Sequence, residues 1–431
     1  MLNDPLNLRR ARMAAALPLN DALLIVGAGE PVALPEGSDQ TYPFRSHAEY
    51  FYLAGHECAG GVIVFDPTNA KPDGESGWLS FVPVVTEAER IWEGRTQLLG
   101  TPLEQFPGWL EQRRGRRIVQ LGAMPSGVQL TVDPALTVAI RSGFQHARRP
   151  KDARELSVLR RAADATAEGF RAVPDLLRPG VTERQLQIEL EAAFFRGGGT
   201  RTGYGTIVGS GPNAAILHFE PSARAFGPGE FVLIDAGAEV ERYTADVTRT
   251  FVVGQPTAFQ RDLHQVVLGA EENTIARCLP GAEWKDLHLA AAVELVAGLV
   301  SMGVMRGRPE SLVEQEAHTL FFPHGLGHMV GLGVRDASGL QPGRTRDPRP
   351  SLRTLRMDLP LAADYVVTVE PGLYFIPALL NDPLRRKRFR DAVNWTLVDQ
   401  HIEIGGVRIE DNVKVTDGGP EVLTQRIPKH L

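Results

Sequence analysis

The chain has 431 residues, which is long for one hydrophobic core and predicts two domains. Its 46 basic and 52 acidic side chains give a net charge of -6, so we expect no general affinity for nucleic acid or for anionic membrane surfaces. The two cysteines, Cys58 and Cys278, form no CxxC spacing, which argues against a disulfide framework or a zinc knuckle and favours a reducing, cytoplasmic location.

Residues 1–150 are predicted to form an α/β domain. Asn20 and Asp21 interrupt the first apolar stretch, so it does not have the pattern of a signal peptide. No apolar run reaches the roughly 18 residues that span a bilayer, so a transmembrane helix is not expected. Short apolar runs at 23–26, 62–65 and 118–121 alternate with helical or Gly/Pro-rich connections, as is typical of α/β domains.

The polar segment 146–156 leads into a long amphipathic helix, so residues 151–431 are assigned to a second domain. Apolar residues at helical spacing, bounded by Pro and Gly, predict helices at 153–177, 182–196, 258–278 and 284–302. Strand patterns such as FVLIDAG, ADVTRTFVV, DYVVTVEPG and VRIEDNVKV lie between and after these helices. Together they predict an α+β domain with an antiparallel or mixed sheet.

The first chemical signal is a pair of aspartates. Asp235 follows the apolar run FVLI, and Asp246 begins the next strand pattern eleven residues later. Either residue alone would more often be a turn or cap residue, but an uncompensated charge at such positions is costly. Two adjacent strands joined by a short connection would bring both carboxylates to one face, so the pair indicates a functional site.

The segment PHGLGHMVGL holds His324 and His328 and is too rich in glycine for a helix. It lacks the glutamate of a helical HExxH motif, which excludes a thermolysin-type zinc site. A lone histidine here would more often be a core residue, but two histidines among glycines indicate one metal ligand and one residue that faces substrate.

Glu370 and Glu410 interrupt largely apolar strand patterns, VTVEPGLYF and VRIEDNV. Each alone would be typical of an edge-strand carboxylate paired with a cation such as Arg408. Four carboxylates brought together would repel unless cations bridged them, so the set with His328 predicts a two-metal hydrolytic site. Its oxygen-rich donors favour Mn²⁺, with Co²⁺ and Zn²⁺ as alternatives.

These segments closely resemble the Xaa-Pro peptidases of the pita-bread metallopeptidase family, prolidase and aminopeptidase P. The resemblance implies a pita-bread catalytic domain behind a smaller amino-terminal domain, assembled as a homodimer or homotetramer. It implies a metal-bridging hydroxide as nucleophile, with Asp246 and Glu410 bridging the metals. The ligands that it implies are Asp235, Asp246, His328, Glu370 and Glu410.

The resemblance also assigns other roles. His218 matches a histidine that contacts substrate, while Tyr204 and Arg408 match residues at the substrate site that position the ligands. Trp92 matches an amino-domain tryptophan that in aminopeptidase P reaches a neighbouring subunit's site. We expect Glu370 to handle the proton of the nucleophile, His218 to help stabilise the oxyanion, and His324 to orient the substrate.

One position departs from the family pattern: GVRD places Arg335 where a second substrate-binding histidine is usual. A guanidinium binds a carboxylate in a bidentate fashion, and Arg356 resembles the arginine with which prolidases recognise the carboxyl end of a dipeptide. The main prediction is therefore an Xaa-Pro dipeptidase. The alternatives are an aminopeptidase P acting on longer Xaa-Pro peptides and, more remotely, a non-catalytic peptide- or protein-binding module.

Overall fold

The computed structural model describes residues 5–35, 37, 40–70, 77–353 and 355–431. The chain divides into unit 1, residues 1–148, and unit 2, residues 149–431. Two basic residues at the start of unit 2 are buried in it: Lys151 Nζ lies 2.8 Å from Asp336 Oδ2, and Arg149 Nε donates to the carbonyl oxygen of Ala337 at 2.9 Å. A segment that is polar in sequence is therefore part of the interior of unit 2.

In the described part of unit 1, one mixed sheet of five strands has the order β4-β3-β2-β1-β5. Its strands are β1 (Leu23–Ala28), β2 (Val62–Phe65), β3 (Trp78–Val82), β4 (Thr101–Pro102) and β5 (Ile118–Ala123). Its helices are α1 (Pro5–Ala16), α2 (Ala48–Ala54), α3 (Glu87–Glu93), α4 (Phe106–Glu111) and α5 (Pro134–Ala147). Strand β1 is parallel to β5 and antiparallel to β2, and its side chains are fully buried because both faces are covered.

Unit 2 begins with helices that follow the predicted pattern closely. Thr182 and Thr257 cap two of them through reciprocal side-chain and backbone bonds. The first helix ends earlier than predicted, because Pro174 cannot supply a helical amide and a 3₁₀ turn, Pro174–Leu176, replaces the last α-helical turn. The helices are α6 (Ala153–Ala172), α7 (Glu183–Arg196), α8 (Ala258–Ala276), α9 (Trp284–Ser301), α10 (Pro309–Glu314), α11 (Pro350–Arg353), α12 (Pro377–Leu380), α13 (Pro383–Arg388) and α14 (Trp395–Gln400).

The described strands of unit 2 form several small sheets, which are antiparallel except for the parallel pair β12–β13. Strands β7, β8 and β11 make one of them, and β14, β17 and β18 make another. Helices α8 and α9 pack together in an apolar core that includes Leu263, Val267 and Leu295. The strands are β6 (Arg201–Thr202), β7 (Ile207–Ser210), β8 (Phe231–Ala236), β9 (Ala238–Val240), β10 (Tyr243–Thr244), β11 (Val247–Val252), β12 (Gly339–Leu340), β13 (Met357–Asp358), β14 (Val366–Val369), β15 (Gly372–Tyr374), β16 (Gly406–Arg408), β17 (Asp411–Lys414) and β18 (Glu421–Val422).

Two further features bear on the sequence predictions. Within the described ranges, no helix is long and apolar enough to cross a bilayer. Cys58 and Cys278 are both buried and unpaired.

Candidate metal centre

Adjacent strands of unit 2 bring three of the acidic residues together. Strand β8 pairs antiparallel with β11, so that Thr248 lies opposite Asp235, and Asp246 immediately precedes β11. On the other side of β11, Glu410 forms a bridge to Thr248, with its amide donating to the Thr248 carbonyl oxygen at 3.1 Å. The two adjacent strands expected for the aspartates are therefore present. Glu410, which immediately precedes β17, lies beside them.

The glycine-rich loop brings His328 to the same place. Its backbone pairs with the strand before Glu370: the Thr368 amide donates to the His328 carbonyl oxygen at 2.8 Å, and the Glu370 amide donates to that of Leu326 at 2.8 Å. A Cβ atom at Gly327 would lie 2.2 Å from the Thr368 carbonyl oxygen, so no larger residue fits there. The glycine permits the close backbone approach that places His328 beside Glu370.

The side chains converge as a ligand set should. Ligand atoms of Asp246, His328 and Glu410 all lie within 4.8 Å of one another. His328 Nδ1 is 3.0 Å from the Met329 carbonyl oxygen, which can only accept, so Nδ1 carries the proton and Nε2 presents its lone pair. That Nε2 is 3.4 Å from an Asp246 oxygen and 3.9 Å from a Glu370 oxygen.

Electrostatics supports a cation at this cluster. Burial raises the pKa of Glu370 to about 7, and the charges of Asp246 and Asp235 add to that rise against the opposing effects of His328 and Arg408. Burial and the neighbouring carboxylates also raise the pKa of Glu410 well above its ordinary value. Buried carboxylates this close to one another favour either protonation or a bound cation, so the donor set fits divalent metal ions.

Asp235 is held by neighbours on its other side. Arg408 Nη2 donates to one of its carboxylate oxygens at 2.5 Å, and the Tyr204 hydroxyl donates to the other at 2.7 Å. Both predicted positioning residues therefore contact a predicted ligand. Burial raises the pKa of Asp235, and the opposing charge of Arg408 limits the rise.

Sequence reasoning missed two residues that complete this arrangement. The Thr248 hydroxyl donates to a Glu410 oxygen at 2.6 Å and accepts from Arg408 Nε at 3.0 Å. The Tyr374 hydroxyl accepts from Arg408 Nη1 at 2.8 Å. Thr248 lies two positions after Asp246 and so on the same strand face, a period-2 signal that the sequence contains.

His324 is already engaged by the protein. Its Nδ1 lies 2.8 Å from the Gly325 carbonyl oxygen, so Nδ1 donates and Nε2 accepts from the Tyr374 hydroxyl at 2.9 Å. Burial lowers the pKa of this imidazole to about 3, which keeps it neutral. It lines the cleft as expected, but its predicted role of orienting substrate would require one of these two bonds to be exchanged.

The ligand cluster, defined as Asp235, Asp246, His328, Glu370 and Glu410, lines a cleft of about 820 Å³ in unit 2. The rim, defined as His218, Arg335 and Arg356, lines the same cleft and is exposed. Among the described residues, none of the three rim side chains has a hydrogen-bond or ion-pair partner. Burial lowers the pKa of His218, and the charge of Arg335 lowers it further, so the rim is a region of positive potential.

Trp92 lies apart from these residues in the chain. It is in helix α3 of unit 1, with 85% of its surface exposed, whereas the residues that line the cleft all belong to unit 2. Its role at a neighbouring subunit's site stays a prediction.

Two family models match the chain. Metallopeptidase family M24 matches residues 157–417, and the aminopeptidase P N-terminal domain matches residues 6–106. The predicted resemblance and the predicted fold class, an α+β catalytic domain behind a smaller α/β domain, are thereby confirmed.

Curated relatives and solved structures agree with these matches. A probable Xaa-Pro aminopeptidase of Paracoccidioides lutzii is 30% identical over 457 residues, covering 99% of this chain and 96% of the relative. Aminopeptidase PepP of Pseudomonas aeruginosa has a TM-score of 0.78 at 26% identity, covering 100% of this chain and 97% of that one. Zinc-substituted Escherichia coli aminopeptidase P in complex with product has a TM-score of 0.78 at 27% identity, covering 99% and 96%.

Proposed function

Since the chain belongs to metallopeptidase family M24, we propose that it is an Xaa-Pro aminopeptidase, which removes the amino-terminal residue that precedes a proline. The observation that carries the proposal is the buried ligand cluster at a large cleft. The chain also matches relatives named Xaa-Pro aminopeptidases over nearly their whole length. This was the alternative at the level of sequence, and the relatives favour it over the dipeptidase that was the main prediction.

The residues of the ligand cluster would hold two divalent metal ions. Four carboxylates and one imidazole suit Mn²⁺ best, with Co²⁺ and Zn²⁺ as alternatives. The zinc-substituted form of the Escherichia coli relative is compatible with such exchange. When bound, the metals would supply an activated water and polarise the scissile carbonyl group.

The protein's own groups would divide the remaining work. Glu370, whose side chain is 17% exposed at the cleft, would take the proton of the attacking water and pass it toward the leaving proline nitrogen. His218, which lacks a partner among the described residues, would donate to the substrate carbonyl oxygen. Arg408 would keep Asp235 ionised and in place, while Tyr374 ties Arg408 to His324.

The size of the cleft is consistent with substrates longer than a dipeptide. Its volume of about 820 Å³ is at the upper end of the range typical of sites for drug-sized ligands, roughly 300–1,000 Å³. Besides the ligand cluster and the rim, the lining includes Arg184 and Gln187 on helix α7. A peptide that continues after proline would occupy this part of the cleft.

The test is a substrate series with the Mn²⁺-loaded protein. We expect efficient release of the first residue from Xaa-Pro-Yaa, and little turnover of Xaa-Ala-Yaa, because a site shaped for the ring and for an amide without N–H discriminates against other residues. Glu421→Gln changes a carboxylate outside the cleft that pairs with Arg160, and it serves as the control variant. It should cleave both peptides at the wild-type rates. Equal cleavage of the alanine and proline peptides would reject the proline preference.

Dipeptidase activity is the second candidate, and the two unpaired arginines of the rim favour it. Burial lowers the pKa of Arg356, and the nearby charge of Arg335 lowers it further against the smaller opposing effect of Glu370. Among the described residues, neither arginine side chain forms an ion pair. They would bind the free carboxylate of a short substrate. Efficient hydrolysis of Xaa-Pro with no turnover of Xaa-Pro-Yaa would replace the proposal by this candidate.

Two other expectations remain proposals, the oligomeric state and the cellular location. We propose that the enzyme forms a homodimer or homotetramer and acts in the cytoplasm, as its sequence indicated. The non-catalytic binding module is disfavoured because that reading predicts lost ligands, whereas all five positions carry ligand residues. Absence of any bound or activating metal would restore it.

A further inference from the structure

A second buried cluster of charges lies outside the cleft, behind the strand that follows Glu410. The side chains of Asp411 and Glu271 are fully buried, and that of Arg249 is 1% exposed. Lys429 Nζ lies 2.8 and 2.9 Å from the two Glu271 oxygens and 2.6 Å from Asp411 Oδ2. Arg249 Nη2 donates to the other Asp411 oxygen at 2.8 Å. We call these four residues the rear cluster.

The rear cluster is connected to the metal ligands through the backbone. Arg249 Nη1 donates to the carbonyl oxygen of Glu410 at 2.7 Å. Next along β17, the Asn412 side chain accepts from the Asp246 amide at 3.0 Å and donates to the Asp246 carbonyl oxygen at 2.6 Å. Two of the proposed ligands, Glu410 and Asp246, are therefore each held by a residue that contacts or adjoins Asp411.

Residues 424–429 close the rear cluster. The Thr424 hydroxyl donates to Asp411 at 2.5 Å and accepts from the Asn412 amide at 3.0 Å. Arg249 donates to the carbonyl oxygens of Ile427 at 2.8 Å and Pro428 at 2.9 Å. With Lys429, this C-terminal tail, residues 424–429, supplies a hydroxyl, two carbonyl oxygens and a cation.

Lys429 has a distinct electrostatic task in this arrangement. Lys429 Nζ lies 2.6 Å from Asp411 and 2.8 Å from Glu271, and Arg249 Nη2 lies 2.8 Å from Asp411, so two cations offset two buried acids. Burial and the charge of Asp411 raise the pKa of Glu271. Lys429 is the cation that both acids share. Without Lys429, the carboxylates of Glu271 and Asp411 would repel each other inside the protein, where such repulsion is poorly screened.

We propose that Lys429 is a positioning residue for the metal centre: through Asp411 and Asn412, the C-terminal tail holds Glu410 and Asp246 in the geometry that binds metal. The inference rests on the proposed metal site and not on the proline preference. Outer contacts that orient metal ligands commonly change affinity by about 10–100-fold when removed, which sets the size of the effect.

The test compares Lys429→Met with Arg426→Met, which lies in the same tail but forms an exposed ion pair with Asp164. Metal-depleted proteins are titrated with Mn²⁺ by calorimetry, and circular dichroism confirms the fold at the same temperature. We expect Lys429→Met to bind Mn²⁺ about tenfold more weakly. Arg426→Met should match wild type, and Lys429→Arg should recover most of the loss because it restores the charge.

Several outcomes would overturn the proposal. Wild-type Mn²⁺ affinity in folded Lys429→Met would do so even if its melting temperature fell, because a purely structural role lowers stability and leaves the folded site intact. If Lys429→Met does not fold, Lys429→Gln, which keeps a hydrogen-bond donor and removes the charge, is titrated in its place, and wild-type affinity in that folded variant would equally reject the proposal. Lack of Mn²⁺ binding by the wild type would instead reject the proposed metal site itself.

Discussion

The ligand cluster and the rim line the same cleft but are built in opposite ways. In the ligand cluster, Asp235 is held by Arg408 and Tyr204, and Glu410 is held by Thr248. The rim arginines have no partner among the described residues and are exposed. Groups that the protein already holds in place suit a reaction step that is the same for every substrate. Exposed groups without a protein partner can instead bind a polar group of one particular substrate. We infer that the cluster determines the reaction and the rim determines the substrate.

Glu370→Gln should show the largest effect on the side of the cluster. The substitution keeps the shape of the side chain and removes its capacity to take a proton, so we expect kcat on an Xaa-Pro-Yaa peptide to fall by about 10³-fold. Calorimetric titration with Mn²⁺ should still detect metal binding, and circular dichroism should show the wild-type fold. A variant with full metal and retained turnover would show that another group moves the proton.

Arg408→Met should show the next largest effect, because Arg408 is the cation that offsets the buried carboxylate of Asp235. Removing one partner of a buried ion pair commonly costs roughly 3–5 kcal/mol in the free energy of unfolding. Urea unfolding of metal-depleted protein measures this loss, and saturating Mn²⁺ should reverse part of it by supplying replacement charge. Arg408→Lys, which keeps the charge, should lose less. An unchanged unfolding midpoint in Arg408→Met would contradict the role.

Substitutions in the rim should change which substrate is preferred and should not change metal binding. Arg335→Met and Arg356→Met should each lower kcat/KM for a tripeptide with a free carboxylate about tenfold, since a hydrogen bond to a charged group contributes roughly 1.5–3 kcal/mol. The same peptide with an amidated carboxyl end should show little change. Arg353→Met, at an exposed arginine of α11 outside the cleft lining, is the control. Equal losses for acid and amide would show that the arginines do not read the carboxylate.

Thr248→Val tests the smallest contribution, one hydroxyl within the cluster. It removes the bonds to Glu410 and Arg408 at nearly constant volume, so we expect a loss of about 1–3 kcal/mol in the free energy of unfolding and weaker Mn²⁺ binding. Thr274→Val removes a buried hydroxyl that bonds only to the Ala270 carbonyl oxygen of its own helix. The two variants should lose similar stability, but only Thr248→Val should bind metal more weakly. Equal Mn²⁺ affinities would assign Thr248 a purely structural role.

Much of the catalytic unit was predictable because its signals are local. The four long helices could be read from apolar spacing and capping residues. Each acidic ligand stands out as a charge in or beside an apolar strand pattern, and His328 stands out in a glycine-rich loop. Tyr374 and Thr248 were missed because their role depends on Arg408, whose position beside both follows from strand pairing far along the chain. Lys151 was missed as a core residue because its buried partner, Asp336, is 185 residues away. Such pairings leave no periodic pattern in the sequence.

A combined titration tests most directly the claim that the buried carboxylates bind catalytic metal ions. Metal-depleted protein is titrated with Mn²⁺ while calorimetry counts the ions bound and hydrolysis of an Xaa-Pro-Yaa peptide is followed in parallel. We predict two ions per chain and activity that rises as they bind, with binding abolished or strongly weakened in Asp246→Asn. Full peptidase activity in chelator-treated protein, or no Mn²⁺ bound at the cluster, would contradict the claim.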